Sequence, residues 1–118
     1  MTLPNAGLLT RFTRRETEQL FKQIQVRVKK LGLEILLAPR SLQFGRCLIS
    51  ISKKAGNAPQ RNRLRRRIKA IFYTMRLFQT PFDWVVIARS PATTQLNFNQ
   101  LHSLLTDISH AQSPNSAI

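Results

Sequence analysis

Arg46–Phe72 reads RCLISISKKAGNAPQRNRLRRRIKAIF. Two periodicities meet in this stretch. Over Arg46–Ser52, Cys47, Ile49 and Ile51 face one way and Leu48, Ser50 and Ser52 the other. Period two with β-branched residues predicts a strand. Lys53–Gly56 is a basic turn, and from Asn57 the period becomes helical. Asn57 is the N-cap, Gln60 answers it three residues on, and Pro59 sits in the first turn, where a missing N–H costs little. Leu64, Ile68, Ile71, Phe72, Met75 and Phe78 form a stripe roughly 120° wide, as a core-facing helix requires. Arg63, Arg65, Arg66 and Lys69 lie off that stripe, with Arg61 and Arg67 on its flanks. A strand and a helix anchored to its sheet therefore adjoin one another.

Outward from this unit, residues 1–12 are expected to be an arm with little regular structure. Thr13–Ile24 is predicted as a helix. Thr13 and Glu16 make a capping box, and Thr17, Leu20, Phe21 and Ile24 share a face. Gln25–Lys30 alternates weakly, as a short strand would. Leu33–Ala38 is apolar enough for a buried strand, and Pro39 ends it. Arg40–Gly45 is a loop. After the basic helix, Thr80-Pro81 breaks the pattern, and Asp83–Ala88 (DWVVIA) is apolar enough to be a central strand. Asn97 caps a last helix with Gln100 at its third position, and Phe98, Leu101, Leu104, Leu105 and Ile108 form its buried face. The tail from Ser109 is small and polar and is expected to fray. The order predicts an α+β fold, a two-layer α/β sandwich with helices on a sheet face.

Residues 1–118 are the size of one domain, with 1–12 and 110–118 as flexible ends. Nineteen Lys and Arg oppose five Asp and Glu, a formal charge of +14. Such self-repulsion is relieved by a polyanion, and nucleic acid is the favoured partner, with anionic membrane the alternative. No apolar run approaches the roughly 18–20 residues of a membrane span. The start lacks the pattern of a secretory signal. Cys47 is the single cysteine, which excludes an internal disulfide and a cysteine-based zinc site. A cytoplasmic protein is expected.

Six of the nine residues Arg61–Lys69 are cationic, five of them Arg. Arginine's planar fork bridges two phosphate oxygens and keeps its charge. Solvated helix faces usually mix signs, and this one carries no acid. Lys53 and Lys54 extend the patch, and the first-turn amides near Ala58–Arg61 are candidate phosphate donors. Asn62, between two arginines, is left to pair with a base edge or the backbone.

Ser52–Lys69, SKKAGNAPQRNRLRRRIK, resembles the signature of the protein subunit of bacterial ribonuclease P, with Arg65 in place of Lys. VVIARSPA, Val85–Ala92, resembles the family's strand ending in I-A-R-x-P-A. The resemblance extends from Arg11 to about Ser109. It implies a four-stranded sheet and a left-handed β-α-β crossover through the basic helix. It implies binding of the catalytic RNA of ribonuclease P and help in removing the 5′ leader of precursor tRNA. Hydrolysis would lie with the RNA, which would bind most of the magnesium; no catalytic residue is expected on the protein, and its sequence locates no metal site.

By this resemblance Lys53, Lys54, Arg61, Asn62, Arg63, Arg65, Arg66 and Lys69 contact the catalytic RNA. A cleft on the open sheet face takes the single-stranded leader by stacking and backbone cations. Phe21, Ser50, Ser52 and Arg89 are its candidate residues. Thr17 stands where the family usually has a second aromatic on the first helix, and Leu36 where it has a cleft aromatic. No membrane and no obligate protein partner are expected.

Three other readings are weaker. A nuclease acting alone needs clustered carboxylates, and Glu16, Glu18, Glu34, Asp83 and Asp107 are scattered, with Glu16 a cap and Asp83 a strand-edge polar residue. His102 and His110 are expected at the surface. A general RNA binder needs charge but not Gly56-Asn57-Ala58 at a fixed distance. A membrane-active helix needs a wide exposed apolar face, which here is claimed by the sheet.

Overall fold

The computed structural model describes residues 5–112. Four strands form one mixed sheet: β1 (Val26–Lys30), β2 (Leu33–Pro39), β3 (Cys47–Ile51) and β4 (Phe82–Ala88), in the order β1-β2-β4-β3. β1 and β2 are antiparallel, as are β2 and β4, whereas β3 runs parallel to β4. β2 and β4 are central and, apart from Glu34 and Asp83, apolar on both faces, so they read as hydrophobic runs. The described residues also form four α-helices: α1 (Arg14–Lys22), α2 (Ala58–Thr74), the short α3 (Pro91–Thr94) and α4 (Phe98–Ala111). α2 lies between parallel neighbours β3 and β4, forming the β-α-β crossover.

Capping explains where the three long helices begin. Thr13 with Glu16, Asn57 with Gln60 and Asn97 with Gln100 each make a reciprocal capping box. Each box satisfies two first-turn donors that would otherwise lack partners. The β1–β2 hairpin turns in two residues, Leu31 (φ 55°) and Gly32 (φ 83°), between the paired Lys30 and Leu33. Two successive positive φ values match the sheet's twist but strain a leucine.

The sheet's two faces have different fates. On one, Leu33, Ile35, Leu37, Cys47, Trp84, Val86 and Ala88 pack with Leu64, Ile68, Ile71 and Phe72 of α2 and Leu101, Leu104, Leu105 and Ile108 of α4. Trp84 is fully buried, meets the edge of Phe72 at 6.2 Å between centroids, and donates Nε1–H to Thr80 Oγ1 at 3.0 Å. On the other, Leu36, Ala38, Val85 and Ile87 are joined by Leu20 of α1, with Phe12, Ile24 and Leu48 alongside. Helices therefore lie on both faces, but α1 is short and covers only part of the second.

Several elements depart from expectation. Residues 6–10 are a 3-10 helix, not an irregular arm, and Leu9 is buried in the main core. Residues 1–4 and 113–118, placed in the flexible ends, lie outside the described residues. Ser109, His110 and Ala111 belong to α4, so the helix continues past the expected fraying point. α1 ends at Lys22, two residues early, yet Ile24 still packs against the smaller cluster. α2 stops at Thr74, because Arg76 takes a left-handed conformation (φ 52°) and starts another 3-10 turn. Met75 thereby leaves the core stripe and is exposed, whereas Phe78 is buried from the new turn. Phe98, the first residue of α4, is exposed as well, since the core begins at Leu101.

Candidate nucleic-acid interface

α2 is fixed by its apolar stripe and presents Asn62, Arg63, Arg66, Lys69, Ala70 and Tyr73 to solvent. The six cations of Arg61–Lys69 divide into two groups. Three are engaged within the chain. Arg61 Nε donates to Gly56 O at 3.1 Å, Arg65 Nη1 to Asn62 Oδ1 at 3.3 Å, and Arg67 Nη1 to Leu96 O at 2.9 Å. Asn62, unexplained by charge, thus orients Arg65. The other three, Arg63, Arg66 and Lys69, have no protein partner among the described residues. They recur every third residue, a rise of about 4.5 Å per step along the helix. No carboxylate lies on α2 itself.

Gly56 and Asn57 set the start of this surface. A Cβ on Gly56 would lie 2.5 Å from Gln60 Oε1, the atom that accepts Asn57 N–H at 2.9 Å. A side chain there would open the capping box. That box also narrows one expectation. Gln60 N–H donates to Asn57 Oδ1, Arg61 N–H to Asn57 O, and Pro59 has no N–H. Of the Ala58–Arg61 amides, Ala58 alone remains for a phosphate. Lys53 and Lys54 are exposed on the 3-10 turn between β3 and α2, at the end of the same cationic strip.

The second candidate surface is the part of the other sheet face that α1 leaves open. Phe21 projects from α1 and is 44% exposed, so it is not a core residue. Ser50 is exposed there and Arg89 follows β4. Ser52 differs: it is half-buried, and its Oγ accepts the Lys54 N–H at 3.2 Å, capping the basic turn. Leu36 is buried in this face, and Thr17 donates its hydroxyl to Thr13 O. Neither supplies an exposed ring. The two surfaces lie on opposite faces of the sheet and meet near Ser52–Lys54, where β3 ends.

Arg46 escaped the sequence reading, and it is the most connected polar residue here. Its side chain is 5% exposed. Nη1 lies 2.7 Å from Glu16 Oε2 and donates to Arg11 O at 2.9 Å, and Nη2 donates to Ser41 Oγ at 3.3 Å. The guanidinium stacks 4.2 Å over Phe12. Its backbone N–H donates to Asp83 Oδ1 at 2.8 Å. Asp83 is therefore a buried acceptor, not a strand-edge polar residue. Glu16 does more than cap: the Thr13 N–H and then Arg46 hold its carboxyl below the ordinary range. Burial pushes Asp83 up, against the Arg46 N–H and charge. This network ties the start of α1 to the sheet, and so sets where Phe21 stands. A single arginine ahead of a strand carries no periodic signal. A buried charge needs partners, but those partners are remote in the chain.

Four of the five acidic residues are engaged within the chain. Glu16 serves Arg46, Glu18 pairs with Arg14, Glu34 pairs with Arg27 and Arg89, and Asp83 accepts a backbone N–H. Among the described residues, no three of His, Cys, Asp and Glu converge. His102 is half-buried and meets Met75 Sδ at 3.0 Å. No helix among the described residues is long and apolar enough to cross a membrane.

The family model described as Ribonuclease P matches residues 10–111. This chain belongs to the ribonuclease P protein family. It is similar to the ribonuclease P protein component of Enterococcus faecalis, 31% identical over 96 residues that cover 80% of each chain. The corresponding protein of Roseiflexus castenholzii is 38% identical over 69 residues, 58% of this chain and 57% of that relative. The chain thus spans little more than half of that relative's length. The RNase P protein of Staphylococcus aureus shares the fold, with a TM-score of 0.73 at 24% identity, covering 88% of this chain and 95% of the other. In this ribonuclease P family chain, the Ser52–Lys69 signature folds into the basic 3-10 turn and the cationic part of α2. Arg67, Arg61 and Gly56 support it from within, and Arg63, Arg66 and Lys69 face outward.

Proposed function

We propose that this chain is the protein subunit of a ribonuclease P. It binds the catalytic RNA through α2 and the preceding basic turn, and assists 5′ leader removal from precursor tRNA. The carrying observation is the strip of Arg63, Arg66 and Lys69 on a helix anchored to the sheet, without partners among the described residues, inside the Ser52–Lys69 signature. Guanidinium groups fixed in this way meet phosphates without first giving up an internal ion pair, and binding is then driven by counterion release. Lys53, Lys54, Arg65 and the free edge of Arg61 widen the contact, and Asn62 acts through Arg65.

The single-stranded leader is proposed to lie on the open sheet face, against Phe21, Ser50 and Arg89, with Ser52 shaping the edge. The protein holds no catalytic group. Magnesium, bound by the RNA, supplies the metal chemistry of hydrolysis. The chain's own residues neutralise RNA phosphates and hold substrate. This work belongs in the cytoplasm, where precursor tRNA is made.

Reconstitution tests the proposal. A bacterial ribonuclease P RNA is incubated with precursor tRNA at low magnesium, with and without this chain. The chain is expected to restore leader removal, and alone to leave the precursor intact. Absence of stimulation, or cleavage by the protein without RNA, would overturn the assignment.

A further inference from the structure

The open face carries one carboxylate in an unexpected place. Lys29, Glu34, Ile87 and Ser50 stand in a single row across all four strands. Arg27 sits one step along the same face on β1, and Arg89 just past the end of β4. Arg27 Nη1 and Arg89 Nη1 approach the same atom, Glu34 Oε1, at 3.9 and 3.7 Å. Their side chains are 66% and 63% exposed, whereas that of Glu34 is 17% exposed. Two free-standing guanidinium groups thus bracket one recessed oxygen, and neither closes to hydrogen-bond distance. A carboxylate so held balances charge without filling either guanidinium fork. A phosphate, with more oxygens and more charge, satisfies both forks better.

We propose that Arg27, Lys29 and Arg89 form a seat for the backbone of the single-stranded leader, and that Glu34 sets its strength. In the free protein the Glu34 carboxylate stands in for a phosphate and holds the two arginines on either side. In the complex it lies beneath the bound phosphate and opposes it. Glu34 thereby weakens the grip on the leader, favouring release after cleavage. This rests on the proposal that the open face takes the leader.

The experiment uses the full chain and a fluorescein-labelled oligouridylate, with binding read by anisotropy at several salt concentrations. Glu34→Gln removes the opposing charge and is expected to tighten binding about three- to fivefold, the upper range of an exposed charge pair. The salt slope should steepen by about 0.7, one further single-strand phosphate contact. Arg27→Gln alone should weaken binding, and adding Arg27→Gln and Arg89→Gln to Glu34→Gln should abolish the gain. Both arginines are largely exposed and stand beyond hydrogen-bond distance of Glu34, so melting temperatures should stay close to wild type. If Phe21→Ala weakens binding but Glu34→Gln does not tighten it, the seat is refuted and the leader face stands. If neither substitution changes binding, the leader face itself is wrong, and the seat with it.

Discussion

Replacing Arg46 with Met keeps most of the buried hydrocarbon and removes the charge. Two hydrogen bonds from the guanidinium, to Arg11 O and Ser41 Oγ, are lost. A charge-assisted bond to a carbonyl contributes about 1.5 kcal/mol. Stacking on Phe12 adds about 1 kcal/mol. The Glu16 side chain stays 35% exposed and can rehydrate, so that pair adds only about 1 kcal/mol. Relief from burying a charge offsets part of the loss, leaving an expected destabilisation of about 2–3 kcal/mol. Urea unfolding at pH 7 should show it as a midpoint lower by roughly 1–2 M. The pH dependence checks the cause. Glu16 has a folded pKa below its ordinary value of 4.5, so its contribution is complete above that pH. It fades as pH falls through the lower folded value. Wild type and Arg46→Met should therefore converge by about 1 kcal/mol at pH 3. Asp83 is raised by burial in both proteins, and the Arg46 charge that opposes this rise is lost in the variant, so Asp83 adds to the same convergence in acid; Glu16→Gln separates the two. A loss below about 0.5 kcal/mol, or a gap that does not shrink in acid, would refute the reasoning.

Leu31→Asn should stabilise the protein by about 0.5–1 kcal/mol in the same urea assay, because asparagine accepts a positive φ and the exposed leucine packs little. Destabilisation would mean that Leu31 has a contact of consequence. Cys47 is buried, and burial, reinforced by Asp83, pushes its thiol up to about 12. It should stay unreactive toward a thiol reagent at pH 8 in the native state and react on unfolding, whereas prompt native labelling would show that β3 opens.

Features resting on neighbouring residues could be read from the sequence. The three capping boxes, the alternation of Cys47–Ile51 and the α2 stripe through Leu64, Ile68, Ile71 and Phe72 depend on local spacing, and the structure has them. The outward position of Arg63, Arg66 and Lys69 follows from the same stripe. Features decided by distant partners were not readable. Arg46 finds its acceptors 35 and 37 residues away, at Arg11 and Asp83. Glu34 acquires its role only when the β1–β2 and β2–β4 registers bring Arg27 and Arg89 beside it. Leu9 is helical and buried because β3 and α2 give it a core to enter. The end of α2 was missed because the left-handed Arg76 carries none of the glycine that usually marks such a stop.

The outward cations of α2 are proposed to meet the phosphates of the catalytic RNA. The most direct measurement is the salt dependence of affinity for a ribonuclease P RNA, comparing wild type with Arg63→Ala/Arg66→Ala/Lys69→Ala. These positions are exposed, so the variant should fold normally. The plot of log affinity against log salt should lose about 2–3 units of slope, near one for each phosphate contact removed. Parallel lines with equal affinity would contradict the claim and move the RNA to another face of the protein.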